Sequence, residues 1–279
     1  MTSTGPIRAS QAERRAAPKP ARIPLGDRPL YPSGEGLRLA MWSGPRNIST
    51  ALMRAWENRP DCAVVDEPLY AAYLAATGLD HPMRDDVIAA GDTDAMRVAQ
   101  HLSAGPVPEG RAVWYQKHMT HHLLPGMDLA WVHALTNVFL IRDPAEVVDS
   151  YLKSRSTVTP TDIGLLQQER LYDEVLRHGG GRAPLVIDAE DFLHDPEAHL
   201  RALCQHVGIA FTERMLHWPA GRRPSDGVWA PHWYAAVWRS TGFEPPRLRT
   251  PQLSAAAQAV ADACRPAYER LWRARVRLG

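Results

Sequence analysis

The chain has 279 residues, of which 45% are hydrophobic and 23% charged, and its formal net charge is +1. This composition is close to the globular average and argues against collagen, coiled coil and bulk disorder. A net charge near zero gives no global field that would attract nucleic acid or a membrane surface, so we expect neither as a partner.

Residues 1–36 are predicted to form a disordered basic tail. Within the first 30 positions six basic residues stand against two acidic ones, and Gly, Pro and Ser interrupt any apolar periodicity. Such a segment cannot bury enough apolar surface to order itself. An arginine-rich, acid-poor start can also mimic a transit peptide. Residues 37–279 are predicted to form a single domain.

From Leu37 onward, short apolar runs alternate with amphipathic runs. Strands are predicted over residues 37–42, 62–65, 112–116, 136–141 and 184–188. Helices are predicted over residues 48–57, 85–102, 143–154, 196–207 and 253–277. This alternation predicts an α/β fold, with a parallel β-sheet flanked by helices on both faces. Ligands of such sheets bind beyond the carboxyl ends of the strands, which are the segments 43–50, 66–69, 117–122 and 142–150.

The segment after the first strand, residues 43–50, has the layout of a phosphate-binding loop. Backbone N–H groups at the start of the next helix point at an anion, and the helix dipole favours its charge. Arg46 adds a cation, and Ser49 and Thr50 add hydroxyl donors. The loop lacks the lysine of a Walker A motif, and Ala51 stands where that motif has its Mg²⁺-binding hydroxyl. A capped strand–helix turn without a ligand is the alternative interpretation.

A second candidate anion-binding element follows the fourth strand. Arg142 stands at the strand end, and Ser150 lies about two turns into the following helix, which Asp143 and Pro144 begin. Both Arg142 and Ser150 could reach one phosphate group. A capped helix beside a surface arginine is the alternative.

Together these two elements resemble the sulfotransferase family, which uses 3′-phosphoadenosine 5′-phosphosulfate (PAPS) as donor. Residues 45–52 stand where the family has its 5′-phosphosulfate loop P-K-S-G-T-T-x-L. Arg142 and Ser150 match its 3′-phosphate motif, and residues 185–208 match its later strand, acidic cluster and D-P-E segment. The resemblance covers residues 37–212 and implies a P-loop NTPase-like three-layer sandwich.

The resemblance also implies which residues hold the donor. The 5′-phosphosulfate would lie on Arg46, Asn47, Ser49 and Thr50, and the 3′-phosphate on Arg142 and Ser150. In the family a loop late in the chain covers the nucleotide and adds a basic residue, for which Arg222 or Arg223 is the candidate.

Three positions of the loop region differ from the family pattern. Arg46 replaces the usual lysine, Ile48 the usual glycine, and Ala51 the aromatic residue that often stacks on adenine. A tryptophan from the Trp-rich segment 218–238 is a candidate replacement for that stacking residue, or a wall of the acceptor pocket.

Lys117, at the end of the third strand, would stabilise the leaving oxygen, because a compact ammonium suits a phosphate. The reaction also needs a base that accepts the acceptor's proton. Glu67 resembles a glutamate in an E-P-L segment of some bacterial sulfotransferases, and His121 or His122 resembles the histidine of the cytosolic branch. These alternatives remain open, as does the choice among the histidines of residues 118–122. We expect no metal there, since these histidines have no acidic or cysteine partner nearby.

The cysteines and the hydropathy of the chain indicate in which cellular compartment the protein is expected. Cys62, Cys204 and Cys264 are far apart and form no CxxC pair, which is typical of reduced thiols in the cytoplasm. We find neither an apolar run near the roughly 20 residues of a membrane helix nor the apolar core of a signal peptide. We therefore expect a cytoplasmic protein.

The sequence as a whole predicts a sulfotransferase that moves a sulfuryl group from PAPS to a hydroxyl or amine of a small-molecule acceptor, without a metal. Two alternatives stay open. One is a nucleotide-dependent phosphotransferase or hydrolase on the same scaffold, and the other is a non-catalytic sulfotransferase-like binding protein. We find no pattern that identifies the acceptor or the oligomeric state.

Overall fold

The structure is a computed structural model that describes residues 36–179, 183–246 and 250–278. The strands are β1 (Leu37–Ser43), β2 (Cys62–Asp66), β3 (Val113–Met119), β4 (Thr136–Ile141) and β5 (Leu185–Asp188). The helices are α1 (Ser49–Glu57), α2 (Tyr70–Thr77), α3 (Arg84–Ala90), α4 (Ala95–Ala104), α5 (Pro144–Leu152), α6 (Pro160–Ile163), α7 (Leu165–His178), α8 (Ala189–His194), α9 (Pro196–His206), α10 (Ala230–Trp233), α11 (Ala235–Arg239) and α12 (Ala255–Arg273).

These strands form one parallel sheet in the order β2-β3-β1-β4-β5. Successive side chains of a strand point to opposite faces, and β1 shows what each face meets. Leu39 and Met41 pack with α1, α8 and α9, whereas Ala40 and Trp42 pack with α4, α5, α7 and α12. Helices therefore cover both faces, which confirms the predicted three-layer sandwich.

The register of the sheet brings the carboxyl ends of its central strands to one edge. Ser43 of β1 lies beside Met119 of β3 and Leu140 of β4, and Asp66 of β2 lies beside Lys117 of β3. Segments that are far apart in sequence therefore meet at this edge.

Two predicted elements differ most from the structure. The third strand runs to Met119 instead of residue 116, so Lys117 and His118 lie within it. The predicted helix over residues 85–102 is two helices, α3 and α4. Gly91 is extended there, and the Asp94 side chain begins α4 by accepting hydrogen bonds from backbone N–H groups of its first turn.

Helix α7 is absent from the predicted elements although it packs against β1 and β4. Its buried Gln168 donates hydrogen bonds from one amide nitrogen to the carbonyls of Trp42 and Leu140, both at 3.0 Å. The helix is rich in charged and amide side chains, which weakens the apolar signal of its buried face.

The predicted tail lies outside the described residues apart from Gly36, so the division into a tail and a single domain stays a prediction. Among the helices that the structure describes, none is both long and apolar enough to cross a membrane.

Candidate active site

A cavity of about 320 Å³ lies at the carboxyl edge of the sheet, and we call it the donor cavity. Ten of the twelve predicted site residues line it: Arg46, Asn47, Ser49, Thr50, Glu67, Lys117, His121, His122, Arg142 and Ser150. Arg222 and Arg223 are the two that do not.

The loop between β1 and α1 leaves the start of α1 open to an anion. Among the described residues no side chain caps this helix, and its first turn contains no acidic residue. The backbone N–H groups there keep their partial positive charge, and Ser49 and Thr50 of the same turn line the cavity. A phosphate or sulfate group would satisfy these donors.

The backbone of this loop is held in an uncommon conformation. Arg46 has φ +55°, a region that side-chain-bearing residues seldom adopt. Its carbonyl accepts a hydrogen bond of 2.8 Å from Arg142. Just before it, the loop packs so closely on α6 that a Cβ at Gly44 would lie 2.3 Å from the Ile163 carbonyl oxygen. The loop shape therefore depends on glycine at this position.

The two predicted anion-binding elements form one patch. Arg46 Nε donates to Ser150 Oγ at 3.0 Å, and Arg142 Nε forms an ion pair of 2.8 Å with Glu146. Burial and the neighbouring Arg142 lower the pKa of Arg46. Among the described residues, one carboxylate, that of Glu146, pairs with this patch of two guanidinium groups, and it contacts Arg142 alone. The excess positive charge favours an anion with several negative charges.

A buried charge cluster forms the floor of the cavity. Lys117 Nζ donates to Asp66 Oδ1 at 2.7 Å, to Glu67 Oε1 at 2.6 Å and to the Tyr234 hydroxyl at 2.9 Å. The Tyr234 hydroxyl in turn donates to Asp66 Oδ2 at 2.6 Å. The Lys117, Asp66 and Glu67 side chains are 1%, 1% and 12% exposed, so water screens their charges little.

This cluster places a proton acceptor beside a fixed cation. Burial, and then the carboxylate of Asp66, raise the pKa of Glu67 against the opposing effect of Lys117. Burial opposes the charge on Lys117, but Asp66 and Glu67 outweigh it and hold the pKa of Lys117 well above its usual value. Glu67 also has φ +44°, and strained backbone of this kind often occurs at functional sites. A carboxylate with a raised pKa suits a general base at neutral pH.

The histidines after β3 lie in different surroundings. His118 faces the opposite side of the sheet from Lys117, stacks on Trp42 with 4.2 Å between ring centroids and does not line the cavity. His122 lies between Tyr70 and Tyr73, each at 4.8 Å between centroids. Neither ring nitrogen of His122 has a hydrogen-bond partner among the described residues.

Burial makes these histidines poor bases. It lowers the pKa of His118 to about 3 and, helped by His81, the pKa of His121 to about 4. Burial and His121 hold the pKa of His122 well below its usual value. A weak base takes a proton less readily, so the pKa directions favour Glu67 over His121 and His122.

The same shifts predict that acid destabilises the fold. The unfolded chain protonates these histidines near pH 6.5, whereas in the folded chain His121 stays neutral to about pH 4 and His118 to about pH 3. The free energy of unfolding that depends on their neutral form is therefore complete above about pH 6.5 and is lost as the pH falls toward 4. Urea unfolding should give a lower free energy of unfolding at pH 5.5 than at pH 7.5.

Two variants test this pH dependence. His122→Phe keeps a flat ring between the tyrosines and should reduce the dependence, whereas the exposed His194→Gln should leave it unchanged. If the free energy of unfolding of the unmodified chain were equal or higher at pH 5.5 than at pH 7.5, the histidines would not be buried in their neutral form.

Part of the Trp-rich segment forms one wall of the cavity. Trp229, Trp233 and Tyr234 line it, and the Trp233 ring centroid lies 6.0 Å from Arg46 Cζ. Ala51, which stands where the family often has an aromatic residue, lines the same cavity. The aromatic rings of this wall therefore lie in the cavity that Ala51 also lines.

The structure does not bring Arg222 and Arg223 to the cavity. Arg54 of α1 forms a buried ion pair with Asp226, which ties this part of the segment to α1. Arg222 lies over Trp238, 4.4 Å from its ring centroid, and Arg223 donates to the Pro219 carbonyl. Their proximity to the site was expected from order along the chain, which does not determine the path of an irregular segment.

Two partners of Lys117 were not among the predicted site residues. Asp66 directly precedes Glu67 at the end of β2, and a signal for it was present, because a carboxylate at a strand end is a candidate partner for a neighbouring lysine. Tyr234 is 117 positions from Lys117, and no local pattern connects the two.

One group of described residues could hold a metal ion elsewhere. Ligand atoms of His133, Glu174 and His178 lie within 4.8 Å of one another. Glu174 also pairs with Arg177, the two imidazole rings stack at 4.2 Å, and none of the three lines the donor cavity. The candidate active site itself contains Lys117, Arg46 and Arg142, whose positive charges suit anions.

Comparisons with known proteins identify the domain. A family model described as a sulfotransferase domain matches residues 37–275. Two Arabidopsis thaliana proteins, named branched-chain-amino-acid aminotransferase-like protein 2 and protein 1, are 34% and 38% identical to the chain over 228 and 206 residues. These matches cover 81% and 74% of this chain but 40% and 36% of those proteins. The chain thus spans less than half of their length, and their names assign no activity to the matched part.

Solved structures show the same fold. The sulfotransferase domain from the curacin biosynthetic pathway superposes with a TM-score of 0.52 at 17% identity, covering 82% of this chain and 96% of that domain. A sulfotransferase from Alicyclobacillus acidocaldarius gives 0.51 at 14% identity, covering 85% and 94%. At these identities the likeness establishes the P-loop-like α/β fold.

Proposed function

The chain belongs to the sulfotransferase domain family, and from this premise we propose that it transfers a sulfuryl group from PAPS to a hydroxyl or amine of a small-molecule acceptor. The main support for PAPS as the donor is one patch, which the uncapped start of α1 forms with Arg46, Arg142 and Ser150. It provides donors for two anionic groups within one cavity.

The donor would lie along this patch. Its 5′-phosphosulfate would accept hydrogen bonds from the first turn of α1, including the Ser49 and Thr50 hydroxyls, and from Arg46. Its 3′-phosphate would lie on Arg142 and Ser150. Trp229 or Trp233 would supply the aromatic surface against adenine.

In the proposed reaction the acceptor oxygen or nitrogen forms a bond to sulfur while the bond from sulfur to the phosphate oxygen breaks. The acceptor's proton passes to the Glu67 carboxylate, and 3′,5′-adenosine bisphosphate leaves with the electron pair. Positioning and stabilisation of the developing charge provide most of the rate enhancement in such transfers.

The charge cluster couples these two events. All three N–H donors of Lys117 are engaged by Asp66, Glu67 and Tyr234. A proton on Glu67 removes the charge that attracts Lys117, so one N–H becomes available to the leaving phosphate oxygen. Proton uptake by the base and stabilisation of the leaving group then occur together.

Binding of the bisphosphate tests the proposal. At 100 times its Kd, 3′,5′-adenosine bisphosphate should add about 2.7 kcal/mol to the stability, seen as a thermal shift that ATP with Mg²⁺ does not match. Arg142→Ala should weaken its binding about 100-fold, because it removes a charged donor to phosphate. Arg273→Ala, which removes an exposed arginine paired with Glu269, should leave binding unchanged.

Other outcomes would favour the alternative functions. Stabilisation by ATP with Mg²⁺ and none by the bisphosphate would favour a phosphotransferase or hydrolase. No stabilisation by either nucleotide would favour a non-catalytic protein.

A further inference from the structure

A second cavity, of about 630 Å³, adjoins the donor cavity, and we call it the distal cavity. It lies among the turn after β3, the segment after α5, and helices α2, α6 and α7. His121 and Tyr151 line both cavities, so these two side chains form a common boundary of the two spaces. Its volume is in the usual range for a small-molecule site.

Aliphatic side chains make up much of the distal cavity wall. They come from separate parts of the chain and include Leu79, Leu123, Met127, Leu129 and Leu166. Methionine and leucine walls adapt to flexible aliphatic chains, and their burial by a ligand is favourable. This part of the wall therefore favours a ligand with an aliphatic body.

Two cations lie among these apolar residues. Arg155 and Arg170 line the distal cavity, and neither forms an ion pair with a carboxylate in the part of the chain that the structure describes. Arg155 donates to the Asp80 carbonyl at 3.1 Å, whereas Arg170 is exposed. Asp162 is the one carboxylate among the described residues that line the cavity, and it accepts hydrogen bonds from the Thr159 backbone and hydroxyl, both at 2.8 Å. The lining of this cavity therefore offers cations to an anionic group.

Two buried polar atoms of the lining also lack partners among the described residues. They are Gln167 Oε1 and His121 Nδ1. Buried polar atoms are usually hydrogen-bonded, so a bound molecule or water is expected to complete these contacts.

We propose that the distal cavity binds the acceptor, and that the acceptor is an aliphatic hydroxy acid whose carboxylate lies on Arg170. The aliphatic chain then fills the space beside Leu166, and the hydroxyl passes between His121 and Tyr151 into the donor cavity. There it meets Glu67 and the sulfuryl group. This inference rests on the proposed function, because it names the acceptor for that reaction.

The test uses ω-hydroxydecanoate and the uncharged α,ω-decanediol as matched probes. Each is titrated calorimetrically into chain saturated with 3′,5′-adenosine bisphosphate, which fills the donor cavity. The hydroxy acid should bind saturably, and Arg170→Gln should weaken its binding about tenfold without changing that of the diol. Arg177→Gln removes an exposed arginine two turns further along α7 and should change neither.

A second variant tests the location. Leu166→Trp places a large ring in the distal cavity and should abolish binding of both probes, while bisphosphate binding shows that the variant is folded. With PAPS present, the unmodified chain should convert ω-hydroxydecanoate to its sulfate ester with a higher kcat/KM than the diol.

Several results would overturn the inference: no saturable binding of the hydroxy acid, equal effects of Arg170→Gln on both probes, binding that survives Leu166→Trp, or no ester. Failure of the proposed function is distinguishable, because the bisphosphate itself would then fail to bind.

Discussion

Replacing Lys117 by methionine is expected to lower the free energy of unfolding by about 3–5 kcal/mol and to abolish turnover. The side chain is 1% exposed, and the substitution leaves Asp66 and Glu67 without their shared cation. A buried carboxylate without a partner costs far more than the pair itself contributes. Urea unfolding measures the loss.

Two further variants show whether the uncompensated charge is the cause. Lys153 forms an exposed ion pair of 2.7 Å with Asp149, so Lys153→Met should cost less than about 0.5 kcal/mol. Adding Asp66→Asn to Lys117→Met removes one orphaned charge and should restore part of the stability. Equal costs for Lys117→Met and Lys153→Met would contradict the buried cluster.

Glu67→Gln is expected to lower the turnover rate by a factor of about 10² to 10⁴, because the amide cannot accept the proton. PAPS hydrolysis measures this without a known acceptor, since water then takes the acceptor's place. Binding of the bisphosphate should not weaken, because Glu67 is not among the proposed phosphate contacts.

The pH profile distinguishes a base from a structural residue. The rate of the unmodified chain should fall as the pH drops through the raised pKa of Glu67, since only the carboxylate accepts a proton. Glu67→Asp should retain part of the rate, and the exposed Glu190→Gln should match the unmodified chain. Full hydrolysis by Glu67→Gln would exclude Glu67 as the base and return the role to His121 or His122.

The sheet was predictable because its strands are short apolar runs set between helices. The β1 run Leu37–Ser43 is buried on both faces, which is the signal of a central parallel strand. Strand and helix ends were less predictable. Lys117 and His118 extend β3 although both are polar, because the pairing with β1 continues to Met119. The ion pairs of Lys117 and the hydrogen bond between His118 and Gln116 compensate for the cost of burying these side chains. Helix α7 was also not predicted, because its many charged side chains weaken the apolar pattern of the face that packs on the sheet.

The candidate site likewise contains residues that the sequence could predict and residues that it could not. Arg46, Ser49 and Thr50 follow one strand and Arg142 follows another, so a local pattern identified them and parallel register brought them together. For residues outside the regular strands and helices, the sequence pattern does not predict which side chains reach the site. Tyr234 reaches Lys117, whereas Arg222 is held on Trp238, and tertiary contacts alone decide which of them meets the site.

A crystal structure with bound 3′,5′-adenosine bisphosphate tests the central claim, donor binding at the patch, most directly. The account predicts the 5′-phosphate at the start of α1 beside Arg46, Ser49 and Thr50, and the 3′-phosphate between Arg142 and Ser150. A bisphosphate bound outside the donor cavity, or bound with its two phosphates exchanged, would contradict it.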